Sequence, residues 1–314
     1  MRGFRKAALC FGTAMMCIVG LCGFDRNMTI DQVEEKFVEA LQNQDCVTMD
    51  MDLAGEYSIR GKSDISGESR LAAGYRADIL LSANLHPLKI SGEATLEAGA
   101  LGIDMKGECA FYAIEAEDGT ADLYFRGSVM GEHYPWTHTK LTQEDIETIG
   151  SYISSGRSKL NNIPDLWRLG KTSRMVNGSE CYQVLANLTY ETIEQPLQEY
   201  MEERRQEDNS LDEISASDWE MIENMVSGLR WNCELDVNDT TFLPAASHYD
   251  MKGSNLDNLN MMLADLMRSE LRSQGLDASF DITFNLDKMT MDTLYDYSPV
   301  TIEVPDDVQK AALE

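Results

Sequence analysis

The side chains best suited to covalent or metal chemistry in this chain are seven cysteines and four histidines. Their spacing decides what is open to them. Cys46, Cys109, Cys181 and Cys233 stand 63, 72 and 52 residues apart, which excludes a zinc ribbon or a C-x-x-C redox pair. Four cysteines in an oxidising compartment allow two disulfides in three connectivities. The competing reading is that they are small apolar side chains: Cys109 and Cys233 both fall on the apolar side of alternating segments. Of the histidines, His86 and His248 stand alone. His133 and His138 are five apart, an odd offset that places them on opposite faces of one strand, so no shared metal is expected. Asp236, Asn238 and Asp239 could suggest calcium, but Asn and Asp in that pattern read more simply as a hairpin turn. There is no G-x-S-x-G elbow, phosphate loop or dinucleotide fingerprint. Asn27, Asn177, Asn187 and Asn238 begin N-x-S/T triplets, which matter only in a glycosylating host. The expectation is a protein that is not an enzyme and carries no metal and no cofactor.

One cysteine invites a different chemistry. Residues 1–24 carry Arg2, Arg5 and Lys6 ahead of an uncharged, mostly apolar run from Ala7 to Leu21, the pattern of a secretory leader. The run Val19-Gly20-Leu21-Cys22 resembles the box at which bacterial lipoproteins are cleaved and acylated on cysteine, departing from it at Leu21, where a small residue is usual. Three outcomes compete. Cys22 is the lipid attachment point; or the leader stays as an anchor, since roughly 18 uncharged residues just span a bilayer; or the protein is simply secreted. All three place the body outside the cytoplasm, where the four remaining cysteines would meet oxidising conditions.

Charge narrows the partners further. Lys and Arg number 26 against 54 Asp and Glu, a net charge of −28. Loss of the leader with Arg2, Arg5 and Lys6 makes it −31. Such a surface argues against nucleic acid and against adhesion to anionic headgroups by charge alone. The plain reading of the excess is solubility.

The elements that must position these residues are mostly strands. Phe280, Ile282, Phe284 and Leu286 alternate with Asp281, Thr283, Asn285 and Asp287, a period of two with one dry and one wet face. The same pattern recurs at Met49–Ile59, Tyr75–Ala83, Leu88–Ala98, Ile103–Ala113, Ala121–Met130, Cys181–Tyr190, Leu229–Val237 and Phe242–Met251. Arg60 to Asp64 reads as a turn, Asn177-Gly178 as a hairpin, and Val300, Ile302 and Val304 as a short closing strand ended by Pro305. Helices are expected over about 30–43, where Thr29 and Gln32 form a capping box, and over 255–271. Others are expected after Thr142, after Pro196 and after Ser217. The fold class is α+β, one large curved antiparallel sheet, an unclosed half-barrel, with helices inserted on its concave side. A leader over 1–24 precedes a single domain over 25–314.

Three short segments carry a family resemblance. Leu123-Tyr-Phe-Arg126 followed by Trp136 resembles a strand, short loop and Trp unit. Leu235 to Pro244, running on to Met251, resembles a hairpin with a Leu-Pro step, and Tyr297 to Pro305 resembles a closing strand. Together these are similar to the lipoprotein-carrier superfamily, the LolA-like and LppX-like proteins, and to the uncharacterised bacterial lipoproteins grouped with them. The resemblance implies a half-barrel that holds acyl chains or lipoproteins on its concave face, with no catalytic residue to carry over. The expected function is non-catalytic binding of a lipidic or other apolar ligand by a monomer anchored to the membrane. The alternative is a cell-surface interaction or sensory protein whose cavity is plugged by its own helices. Eighteen methionines suit an adaptable apolar surface, and equally a loosely packed core.

Overall fold

The computed structural model describes residues 29–63, 67–85, 87–100, 103–143, 145, 166–192, 194–195, 198, 223, 227–273 and 280–311. The leader with Cys22, His86, and, apart from residues 198 and 223, the helices expected around 146–153, 196–205 and 218–226 lie outside the described residues.

The described residues form one twelve-stranded antiparallel sheet that does not close, with a few helices. After helix α1 (Ile30–Gln42) come β1 (Cys46–Ser63), β2 (Gly67–Leu85), β3 (Leu88–Ala100), β4 (Ile103–Glu115), β5 (Ala121–Val129), β6 (Glu132–His133) and β7 (Thr137–Leu141). Then follow β8 (Trp167–Val176), β9 (Ser179–Thr189), β10 (Arg230–Asn238), β11 (Pro244–Asp250), helix α2 (Asp257–Ser273), β12 (Phe280–Asp296) and helix α3 (Asp306–Ala311). The spatial order is β6-β5-β4-β3-β2-β1-β12-β11-β10-β9-β8, with β7 also on β5. The last strand therefore lies between the first strand and β11, joining an N-terminal meander to a C-terminal one.

Alternation builds the two faces. Met49, Met51 and Leu53 stand opposite Leu81, Ile79 and Ala77 on β2, and opposite Tyr295, Thr293 and Met291 on β12. Gly92 lies beneath the Phe111 ring across the strand pair, where a Cβ would collide with it. Asn177 and Gly178 turn the β8–β9 hairpin with φ of 48° and 82°, the left-handed geometry this dipeptide favours.

On the apolar face the half made by β9–β12 is packed. Leu166, Ala186, Leu188, Cys233 and Tyr249 form a buried cluster with Trp167, Trp231 and Met291 against it. Leu235, Val184 and Val237 are fully buried. Each such side chain contributes about 1.5–3 kcal/mol by leaving water. The tail after β12 caps one end of the sheet: Asn84 Nδ2 donates to Val300 O (3.0 Å), Cys46 Sγ donates to Tyr297 O and Ser298 O (both 3.4 Å), and Ile302 and Val308 are buried.

Four expectations change. β1 runs through Ser63 instead of turning at Arg60, because Gly61 keeps the alternation going between Arg60 and Lys62. β12 does not stop at Leu286 but continues to Asp296. Val300, Ile302 and Val304 are not a strand, since β12 already fills the place beside β1. β8 was not expected as a strand, because its pairing slips between Leu169 and Ser173 and the period is lost there. Elsewhere the expected cap at Thr142 is present: Asp145 N donates to Thr142 Oγ1 (3.2 Å), and Thr142 N to Asp145 Oδ2 (2.8 Å).

Candidate functional site

Two surfaces of the sheet are unlike the rest. The first is the open half of the apolar face, on β3–β5. Leu96, Ile103, Met105, Phe125 and Val129 are 46–62 % exposed there, whereas their counterparts on β9–β12 are buried. They are placed by strict alternation: Leu96 opposite Gly107, Gly107 opposite Val129, and Met105 opposite Ala98. Met130, in the β5–β6 turn, and Tyr134, just after β6, are also exposed.

The second surface is on the polar face. An open groove of about 790 Å³ runs from Asp50, Asp52 and Asp78 on β1 and β2, past Asp292 and His248, to Glu234, Asp236 and the β8 residues Arg174 to Asn177. A smaller groove of about 340 Å³ continues it toward Glu93, Glu108, Arg126 and His133, and shares Asp50 and Asp78. Both grooves lie where the polar side chains point, the larger bounded by the edge strand β8.

Strand register explains the groove's chemistry. Asp78, Asp52, Asp292, His248 and Glu234 are directly opposite one another on β2, β1, β12, β11 and β10. Like charges facing across strands repel, and neighbours partly offset this. Arg76 Nη2 donates to Asp52 Oδ2 (2.5 Å) and Asp78 Oδ1 (3.3 Å). His248 Nδ1 pairs with Asp292 Oδ1 (2.6 Å), and its Nε2 lies 3.5 Å from Asp250 Oδ2. Burial by itself would lower the His248 pKa, but the hydrogen bond and charge of Asp292, with Asp250, raise it overall. Arg174 Nη1 lies 3.4 Å from Asp236 Oδ2 and 4.0 Å from Glu234 Oε2. Asp236 is only 4 % exposed, and its Oδ1 has no hydrogen-bond partner. Burial pushes the Asp236 carboxyl above the usual range, Arg174 opposes this, and Glu234 adds to the rise.

The cysteines and histidines fall as follows. Cys46, Cys109, Cys181 and Cys233 are all free thiols. Cys181 and Cys233 are buried on neighbouring strands but five residues out of register, since Cys181 faces Asn238 and Cys233 faces Ala186. Burial raises the Cys181 thiol to about 11 and the Cys233 thiol to about 12. His133 and His138 do not lie on opposite faces. They belong to two short strands, β6 opposite Ser128 and β7 opposite Tyr124, and both turn to the polar side because Tyr134 to Trp136 interrupt the strand. His138 Nε2 is 2.8 Å from Asp122 Oδ1. Asn238 Oδ1 accepts from Thr240 N (2.9 Å) and Thr241 N (2.8 Å), so the 238–241 segment is a turn held by its own side chain. The acidic groove was missed from sequence. Its one local signal was Leu80, in an apolar triplet with Ile79 and Leu81 that forces it onto the polar face.

No protein-family model matches the chain, and no curated protein does. Among solved structures it is similar to a β-barrel-like protein of a domain of unknown function from Brucella abortus, at 6 % identity and a TM-score of 0.21, covering 79 % of this chain and 96 % of that one. It is also similar to a LolA superfamily protein from Nitrosomonas europaea, at 12 % identity and a TM-score of 0.15, covering 82 % and 89 %. These are loose likenesses of fold.

Proposed function

We propose that this is an extracytoplasmic lipoprotein, anchored to the membrane through Cys22, which binds the acyl chains of a lipidic ligand on the open apolar face of β3–β5 and performs no chemistry. The observation that carries this reading is the half-exposure of Leu96, Ile103, Met105, Phe125 and Val129 on a face whose β9–β12 half is packed. Each buried acyl CH₂ would contribute about 0.8 kcal/mol. Met105 can follow a flexible tail without a fixed pocket shape. The packed β9–β12 half favours a second reading, a surface interaction or sensory protein whose apolar face is covered by its own inserted segments.

Native mass spectrometry of the full chain extracted from its membrane separates the two. The expected spectrum carries a diacylglyceryl-modified Cys22 and a lipid adduct. The adduct persists on the soluble Cys22→Ala form and is lost on Phe125→Glu. A clean mass for the Cys22→Ala form, even after incubation with phosphatidylcholine vesicles, sinks the carrier reading and favours the second.

A further inference from the structure

The acidic groove on the polar face is a separate surface from the lipid-binding one, and three features of it point to one kind of ligand. The first is a buried acceptor left open. Asp236 is 96 % shielded from solvent and lines the groove, Arg174 engages only its Oδ2, and its Oδ1 has no partner. A buried carboxylate oxygen without a donor costs free energy that a ligand donor would recover. The second is the spacing of the carboxylates. Asp78, Asp52 and Asp292 repeat once per strand, at intervals of about 4.8 Å. Among the described residues no three ligating groups converge on one point as a metal ion requires. The arrangement suits positive charges distributed along a chain.

The third is what lies between the charges. In the next row Leu80, Asp50 and Leu294 stand opposite one another on β2, β1 and β12. Leu80 is 48 % and Leu294 46 % exposed, although both project from the polar face. A compact inorganic cation gains nothing from them. A ligand with methylenes between its charges would cover them, and ammonium groups joined by three or four methylenes lie about 5–6 Å apart when extended.

We propose that this groove binds an aliphatic polyamine, with Asp236 Oδ1 and Asp50 accepting from its ammonium groups and Leu294, in the same row between them, covering its methylenes. Arg174 is displaced toward Glu234 or solvent as the ligand engages Asp236.

Calorimetric titration of the full chain with spermidine at low ionic strength tests this. The expected result is one saturable site, weakened about tenfold or more by Asp236→Asn or by Asp50→Asn, as for loss of one charged acceptor. Leu294→Ser weakens spermidine binding as well, and excess Mg²⁺ does not displace spermidine. Glu117→Gln and Glu303→Gln, exposed and outside the groove, leave binding unchanged. Asp50 is itself exposed, so its variant keeps the test informative if Asp236→Asn folds poorly. Titration without saturation, binding indifferent to the groove variants, or displacement by Mg²⁺ overturns the proposal and leaves only the counterion atmosphere of a chain with a net charge of −28.

Discussion

Asn260 treats Phe284 as a neighbouring strand would. Its Oδ1 accepts from Phe284 N at 2.6 Å, and its Nδ2 donates to Phe284 O at 3.2 Å. The reason lies in the topology. β11 pairs with β12 only where Ala246–Asp250 face Thr290–Leu294, and α2, which carries Asn260, packs along the stretch of β12 below that. One side-chain amide thus satisfies both backbone groups of a residue on an edge that, among the described residues, no strand covers. Asn260→Ala should cost about 1–2 kcal/mol for the lost pair. Amide exchange at Phe284 should accelerate, while exchange at Met291, within the β11 pairing, should not.

The two halves of the apolar face should respond differently to truncation. Leu235 is fully buried, and Leu235→Ala should destabilise by about 2–5 kcal/mol. Leu96, 47 % exposed, should lose under about 1 kcal/mol on the same change. Urea midpoints with unchanged slopes would show it.

The pH dependence of His248 has a definite sign. Its folded pKa is raised, so its contribution is complete below the ordinary histidine value of 6.5 and disappears as pH rises through the higher folded value. The difference in Tm between the parent and His248→Gln should therefore be largest near pH 5 and vanish toward alkaline pH. Asp292→Asn should remove most of it.

Asp236 has the opposite consequence. A carboxyl raised by burial is least at ease when ionised, so folding loses stability as pH rises through its titration. Asp236→Asn should raise Tm at pH 7, and the gain should fade as pH drops toward the usual carboxylate value of 3.8. A loss of stability at pH 7 would show that the ion pair with Arg174 outweighs the burial.

Thiol labelling should sort the four cysteines of the sheet. Cys181 and Cys233 are buried with pKa values of about 11 and 12, so neither should react with an aromatic disulfide reagent in the native state. Cys46 and Cys109, partly exposed, should react first, and all four after unfolding.

How far the sequence reveals this fold can be seen in β12. Phe284 and Leu286 face the apolar side, but so do Met289, Met291 and Tyr295, which have the opposite parity. The switch is the irregularity where Glu56 meets Lys288 and Tyr57 meets Leu286, leaving Asp287 as the extra residue. A reading based on strict alternation stops there, because a bulge is a feature of the pair and not of either strand. The same limit hid the acidic groove. Asp52, Asp78 and Asp292 each look like an ordinary wet-face residue, and only register makes them neighbours. The meander from β1 to β5 was legible, since its strands follow one another and keep phase. So was the Asn177-Gly178 turn, whose geometry is local.

The insertion of β12 between β1 and β11 also sets a timetable. β1 pairs Thr48 with Asp296, so its second edge is unfilled until residues 280–296 have been made. Contacts so distant in sequence form slowly, because closing the long intervening loop costs entropy before any pairing is gained. A chain made from its N-terminus, or threaded that way through a membrane pore, would hold β1–β7 as an open-edged intermediate throughout. Removing residues 280–311 would therefore not trim the protein by one strand; it would strand the two meanders as separate sheets, each with an unpaired edge.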